Sequence, residues 1–285
     1  MDAFWIILTG SLVAGCCAIL GSFLVLRKMA MIGDAISHAV LPGIVIAYLL
    51  AQTRSTWPML IGAASFGVLT AVLIEWLNRK ARLQSDAAIG LAFTFMFAIG
   101  VILISAYAGQ VDLDQDCVLY GEIAYVPLDN WILADGTNLG PNPVWQLSGV
   151  FLLVLGFLLI GFKALKVTSF DPTLATALGI STSIWHYALM GMVSLTTVFS
   201  FESVGAILVV GFLIIPAATA YLLTYNLKQM IGLAVLIGVL SSILGYYVAV
   251  VLNGSIAGAI TTVMGALFCF AWVYASQRRK IASLH

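Results

Sequence analysis

Apolar residues run along this chain in long blocks separated by short polar joins. A block of about 20 apolar residues is enough to cross a bilayer as a helix. Nine blocks qualify, near 3–26, 33–50, 57–77, 87–107, 147–162, 184–201, 204–224, 229–250 and 256–275. The first exceeds a typical secretory h-region, has no positive segment before it and ends on Arg27-Lys28. It is therefore expected to remain as a span rather than be cleaved. The sixth and seventh are parted only by Ser200-Phe-Glu-Ser203. One crossing plus a broken or short helix is the alternative there, so the expected count is eight to nine.

The charges orient these blocks. Arg27, Lys28, Arg79, Lys80, Arg82, Lys163, Lys166, Lys228, Arg278, Arg279 and Lys280 fall on one side, in alternate joins and the C-terminal tail, and Arg54 alone falls on the other. Cations collect on the cytoplasmic side, which puts the N-terminus outside and the C-terminus in the cytoplasm. Acids show the reverse bias. Asp112, Asp114, Asp116, Glu122, Asp129 and Asp135 all lie in the external segment 108–146. That segment is too long for a minimal connection. It reads either as a solvated hairpin or short surface helix, or as a docking surface that attracts cations.

Composition confirms the class. Of 285 residues, 62% are hydrophobic and 8% charged, against roughly 25% charged in an ordinary soluble domain. Mean hydropathy is +1.10. A single water-soluble core cannot bury so much apolar surface. The expectation is one all-α polytopic membrane domain over 1–285. Cys16, Cys17, Cys117 and Cys269 show no CxxC spacing, and three of them read as small packing residues in apolar runs. There is no GxxxxGK[ST], GxSxG or HExxH, so nucleotide hydrolysis by this chain is not expected. Gly254 and Gly258 form a GxxxG, a weak signal for close helix contact.

Charged groups at bilayer depth are costly and face a protein interior or a water path. Asp34 and His38 stand four apart in Met-Ile-Gly-Asp-Ala-Ile-Ser-His-Ala-Val-Leu-Pro-Gly (31–43), one turn apart on one helix face. A carboxylate with an imidazole suits a first-row divalent metal. Pro42 cannot donate to the carbonyl of His38 and loosens the helix. The bland alternative makes Asp34 a helix cap and His38 a satisfied interior histidine. Glu202, near the outer side, reads equally as a residue of the path or as a carboxylate at a helix start. Glu75 and Asp86 read as surface partners of the basic loop, and His186 beside Trp185 as an interfacial anchor.

Residues 163–183 form the largest cytoplasmic join. Asp171 suits an N-cap, Pro172 the first helical position and Gly179 a helix stop. Leu174, Ala175 and Leu178 can share one apolar face of the short helix between them. The segment reads as a connector or as a coupling helix that plugs into a partner.

Four stretches carry a family resemblance. They are 27–43, Asp112-Leu-Asp-Gln-Asp-Cys-Val-Leu-Tyr-Gly-Glu-Ile123, Phe170-Asp-Pro-Thr-Leu-Ala-Thr-Ala-Leu-Gly-Ile180, and the run from Phe201-Glu-Ser-Val-Gly to Ala220. In that order the chain resembles the membrane permeases of bacterial ABC importers for manganese, zinc and iron, and most the manganese-type branch. The resemblance implies a fold similar to the cobalamin and iron-siderophore importers. It implies a permease dimer, two cytoplasmic ATPase subunits and an external metal-binding protein, with no nucleic acid and no permanent cofactor. Asp34 and His38 match the residues proposed to touch the metal, and 170–180 the loop that contacts the ATPase. On this reading Asp171, Leu174, Ala175, Leu178 and Gly179 serve coupling. Asp112, Asp114, Asp116 and Glu122 receive the binding protein. The rival is a secondary-active metal cation transporter, which would usually carry more intramembrane charges and an inverted repeat.

Overall fold

The computed structural model describes residues 2–51, 56–107, 123–132 and 138–282. Among them nine helical spans are long and apolar enough to cross a membrane. They are α1 (Asp2–Leu26), the broken pair α2 (Ile32–Ala39) and α3 (Leu41–Ala51), α4 (Thr56–Lys80), α5 (Ser85–Tyr107), α6 (Asn142–Phe170), α8 (Thr182–Val204), α9 (Ala206–Leu223), α10 (Leu227–Leu252) and α11 (Ile256–Ala282). The short α7 (Pro172–Ala177) stands between α6 and α8.

The doubtful region resolves into two helices. The break falls at Gly205 rather than within 200–203, and Gly205 takes a φ of 81°. A side chain would clash in that conformation, so the chain can turn there only because glycine has no Cβ. The span expected at 147–162 is also longer. α6 runs on through Lys163 and Lys166 to Phe170, so the first part of the basic join is helix. Long lysine stems lie along the apolar surface while their ammonium groups reach water, which lets a helix carry such residues past the membrane edge.

α1 occupies the centre, packed by α6, α8, α9 and α10. Its buried residues include the small Ala14, Gly15, Cys16, Cys17, Ala18 and Gly21. In lipid the tails are as apolar as leucine, so helices associate by close packing, and small residues permit it. A second group, α2 to α5, packs on itself, and α8 touches both groups. In the second group Gly43 of α3 lies against Gly62 of α4, where a Cβ on either would strike the other's carbonyl. Among the described residues no other helix comes close to Gly254 or Gly258 of the GxxxG.

Two ends are distinct. At the basic end lie the α1–α2 turn, α7 and the α9–α10 turn. At the opposite end, a 3₁₀ turn (Ile123–Leu128) buries Ile123 and Val126 against α1, and strands β1 (Asn130–Ile132) and β2 (Asn138–Pro141) pair antiparallel. Trp145 donates from Nε1 to the Leu139 carbonyl at 3.1 Å and meets Trp131 edge to face. The hairpin alternative for this segment therefore holds for its described part. Asp112, Asp114, Asp116, Glu122 and Asp135 lie outside the described residues.

Candidate metal path and coupling surface

α2 is amphipathic for a local reason. Ile32, Ala35, Ile36 and Ala39 recur at helical spacing and are all buried, and α2 packs on α4, α5 and α8. The other face carries Asp34 and His38. Asp34 Oδ1 and His38 Nε2 stand 3.8 Å apart, with 45% and 29% of their side chains exposed. The imidazole leans on two rings of α5, Phe93 at 5.3 Å and Phe97 at 6.1 Å between centroids. Both rings pack against the imidazole, whose Nε2 is the atom nearest the carboxylate. Met31, not Asp34, holds the N-cap position, and it makes no side-chain cap bond. Asp34 instead lies in the first turn, where the helix dipole favours its charge. Val40 interrupts the helix, and Pro42 of α3 offers no N–H to the His38 carbonyl.

Chemically the pair offers one oxygen and one nitrogen one turn apart. Structural metal sites use about four to eight ligands. Among the described residues no group of three or more His, Cys, Asp and Glu side chains could hold a metal ion. A pair alone holds a divalent ion only loosely.

Glu202 is exposed in the last turn of α8 and not at a helix start. A carboxylate there faces the negative end of the dipole, so the capping alternative falls. The end of α8 packs near the 3₁₀ turn, far along the helix from the basic end.

At the basic end α7 is capped on both sides. Asp171 Oδ1 accepts from the backbone N–H of Leu174 at 2.9 Å and of Thr173 at 3.1 Å, and from the Thr173 hydroxyl. The Leu174 amide and the Thr173 hydroxyl hold the Asp171 carboxyl below the usual carboxylate range. Gly179, at φ 75°, closes the helix, with Ile180 N–H bonded to the Ala175 carbonyl and Gly179 N–H to that of Thr176. The single apolar face expected of Leu174, Ala175 and Leu178 divides. Ala175 is fully buried, while Leu174 is 48% and Leu178 61% exposed. The helix lies on α6 and α8, so the small Ala175 turns inward and the two leucines turn out.

Two contacts were not expected. Glu75 is buried and meets His186 across the α4–α8 seam, so neither is a surface partner or an anchor. Both fall within predicted spans, and the rule applied to Asp34 and His38 would have flagged them. Arg27, read only as a basic stop, bonds to two hydroxyls at the end of α6. Only its being Arg rather than Lys hinted at a two-pronged contact.

The long apolar helices make this a multi-pass membrane protein. Residues 3–275 match the ABC 3 transport family, and the chain belongs to that family. It is 50% identical over 270 residues to the manganese transport system membrane protein MntD of Bacillus subtilis (strain 168), covering 95% of this chain and 91% of that one. It is 43% identical to the zinc transport system membrane protein TroD of Treponema pallidum (strain Nichols), covering 95% and 74%. Among solved structures, PsaBC from Streptococcus pneumoniae in complex with Fab superposes with a TM-score of 0.79 at 33% identity, over 99% of this chain and 94% of that one.

Proposed function

We propose that this permease imports a divalent transition metal ion, manganese ahead of zinc or iron, powered by ATP hydrolysis on a separate chain. The observation that carries the reading is the Asp34–His38 pair, partly exposed on a short broken span at 3.8 Å. Manganese and zinc in the names of full-length relatives support the choice of ion. Two protomers bring two such pairs to a shared path. The ion gains enough ligands to enter and few enough to leave. An external binding protein delivers it, and two ATPase subunits seat on α7. There Leu174 and Leu178 present apolar surface that a partner can cover, on a helix stiffened by Asp171 and Gly179.

The test is uptake into vesicles holding the permease, its ATPase and a metal-loaded binding protein. Manganese should accumulate only with ATP. Uptake that follows an ion gradient and needs no ATPase would assign the chain to secondary transport instead.

A further inference from the structure

Arg27 ends α1, and its side chain crosses to the far end of α6. Nε donates to the Ser169 hydroxyl and Nη2 to the Thr168 hydroxyl, each at 2.9 Å. Among the described residues it makes no ion pair, and burial pulls it below the ordinary arginine value. The two acceptors directly precede Phe170 and Asp171, the cap of α7.

On the other side of Arg27 the backbone is stiff. Lys28 takes a φ of 58°, Lys28 N–H bonds to the Val25 carbonyl and Met29 N–H to that of Leu24. This doubly bonded stop lets α1 turn within two residues. Met29 then accepts from Ile32, the first residue of α2. Thus α2, with Asp34 and His38, starts five residues beyond Arg27.

We propose that Arg27 is a positioning residue, the strut by which movement of the coupling segment reaches the Asp34–His38 pair. The inference rests on the function proposed above. Two features favour a strut over a simple tie. Thr168 and Ser169 are neighbours on a helix, about 100° apart around its axis. One guanidinium fork spans both only when the last turn of α6 is helical and correctly rotated, so the contact senses rotation of the base of α7. The acceptors are also neutral hydroxyls, which bind a guanidinium less strongly than a carboxylate does. The contact can therefore break and re-form during a transport cycle.

The experiment uses the assembled transporter in vesicles and reads manganese imported per ATP hydrolysed. Arg27→Lys keeps the charge that orients α1 but loses the fork. Thr168→Val with Ser169→Ala leaves Arg27 intact and removes both acceptors. Each should lower the ratio about tenfold, the scale of an ordinary coupling between sites. Manganese affinity of the nucleotide-free complex, read by electron paramagnetic resonance, should stay at the wild-type value. Combining the changes should lower the ratio no further, because all remove one contact. A wild-type ratio in the Thr168/Ser169 variant, or losses that add in the combined variant, would overturn the strut. So would a fall in uptake that only tracks the amount of assembled protein. Wild-type uptake that ignores ATP would instead overturn the importer reading beneath it.

Discussion

His186 Nε2 lies 3.4 Å from Glu75 Oε2, joining α8 to α4 where each side chain is no more than 17% exposed. Farther along the same seam, the Ser194 hydroxyl donates to the Ala64 carbonyl at 3.1 Å. The two contacts pin α8, which follows α7 directly, to the helix group that holds α2. Removing His186 takes an ion-pair partner from a buried carboxylate, at about 3 kcal/mol. His186→Ala should therefore lower thermal stability in detergent, and so should Glu75→Ala. The double variant should be less destabilised than the sum by about 1 kcal/mol. Strict additivity would show that the pair does not interact.

Asp34→Asn and His38→Ala should each abolish manganese uptake while the ATPase still co-purifies. Both side chains are partly exposed, so neither change opens a core cavity. Normal uptake by the double variant would remove the pair from the path.

Glu202→Gln separates path from packing. The carboxylate opposes the dipole at the end of α8, so neutralising it should leave stability unchanged or raise it by at most about 1 kcal/mol. If Glu202 lines the outer part of the path, uptake falls in the same variant. Lowered melting with full uptake would contradict both statements.

Leu178→Asp should leave the protein inserted but unresponsive. A charge at this exposed position is harmless in water and costly once a partner covers it. ATP hydrolysis should no longer respond to the loaded binding protein, and uptake should stop. Asp171 adds a pH limit. Its carboxyl is held below the usual range in the folded protein, so its capping contribution is complete above that range. The contribution fades as pH falls through the lowered folded value. Uptake at the wild-type rate by Leu178→Asp would exclude α7 as the coupling helix.

Replacing Asp112, Asp114 and Asp116 with Asn should slow association of the binding protein at low ionic strength and do little at high salt. Surface capture over a salt series reads this directly. Equal association rates at low salt would exclude electrostatic docking on this segment.

The sequence by itself determined what depends on near neighbours. Eight or nine spans were legible because lipid demands long apolar runs, and the break at Gly205 that makes them nine came only with the structure. Asp34 and His38 were legible as a pair because one helical turn brings them together whatever surrounds them. The caps at Asp171 and Gly179 are likewise contacts within a few residues. Only the tertiary structure decided that Glu75 meets His186, that Arg27 reaches Thr168 and Ser169, that Gly43 meets Gly62 and that Ala175 turns away from its two leucines. The physical reason lies in the solvent. In water an apolar stripe tells which face of a helix turns inward. In lipid the outer face is as apolar as the inner, so hydropathy leaves each helix's rotation open, and packing among the helices fixes it.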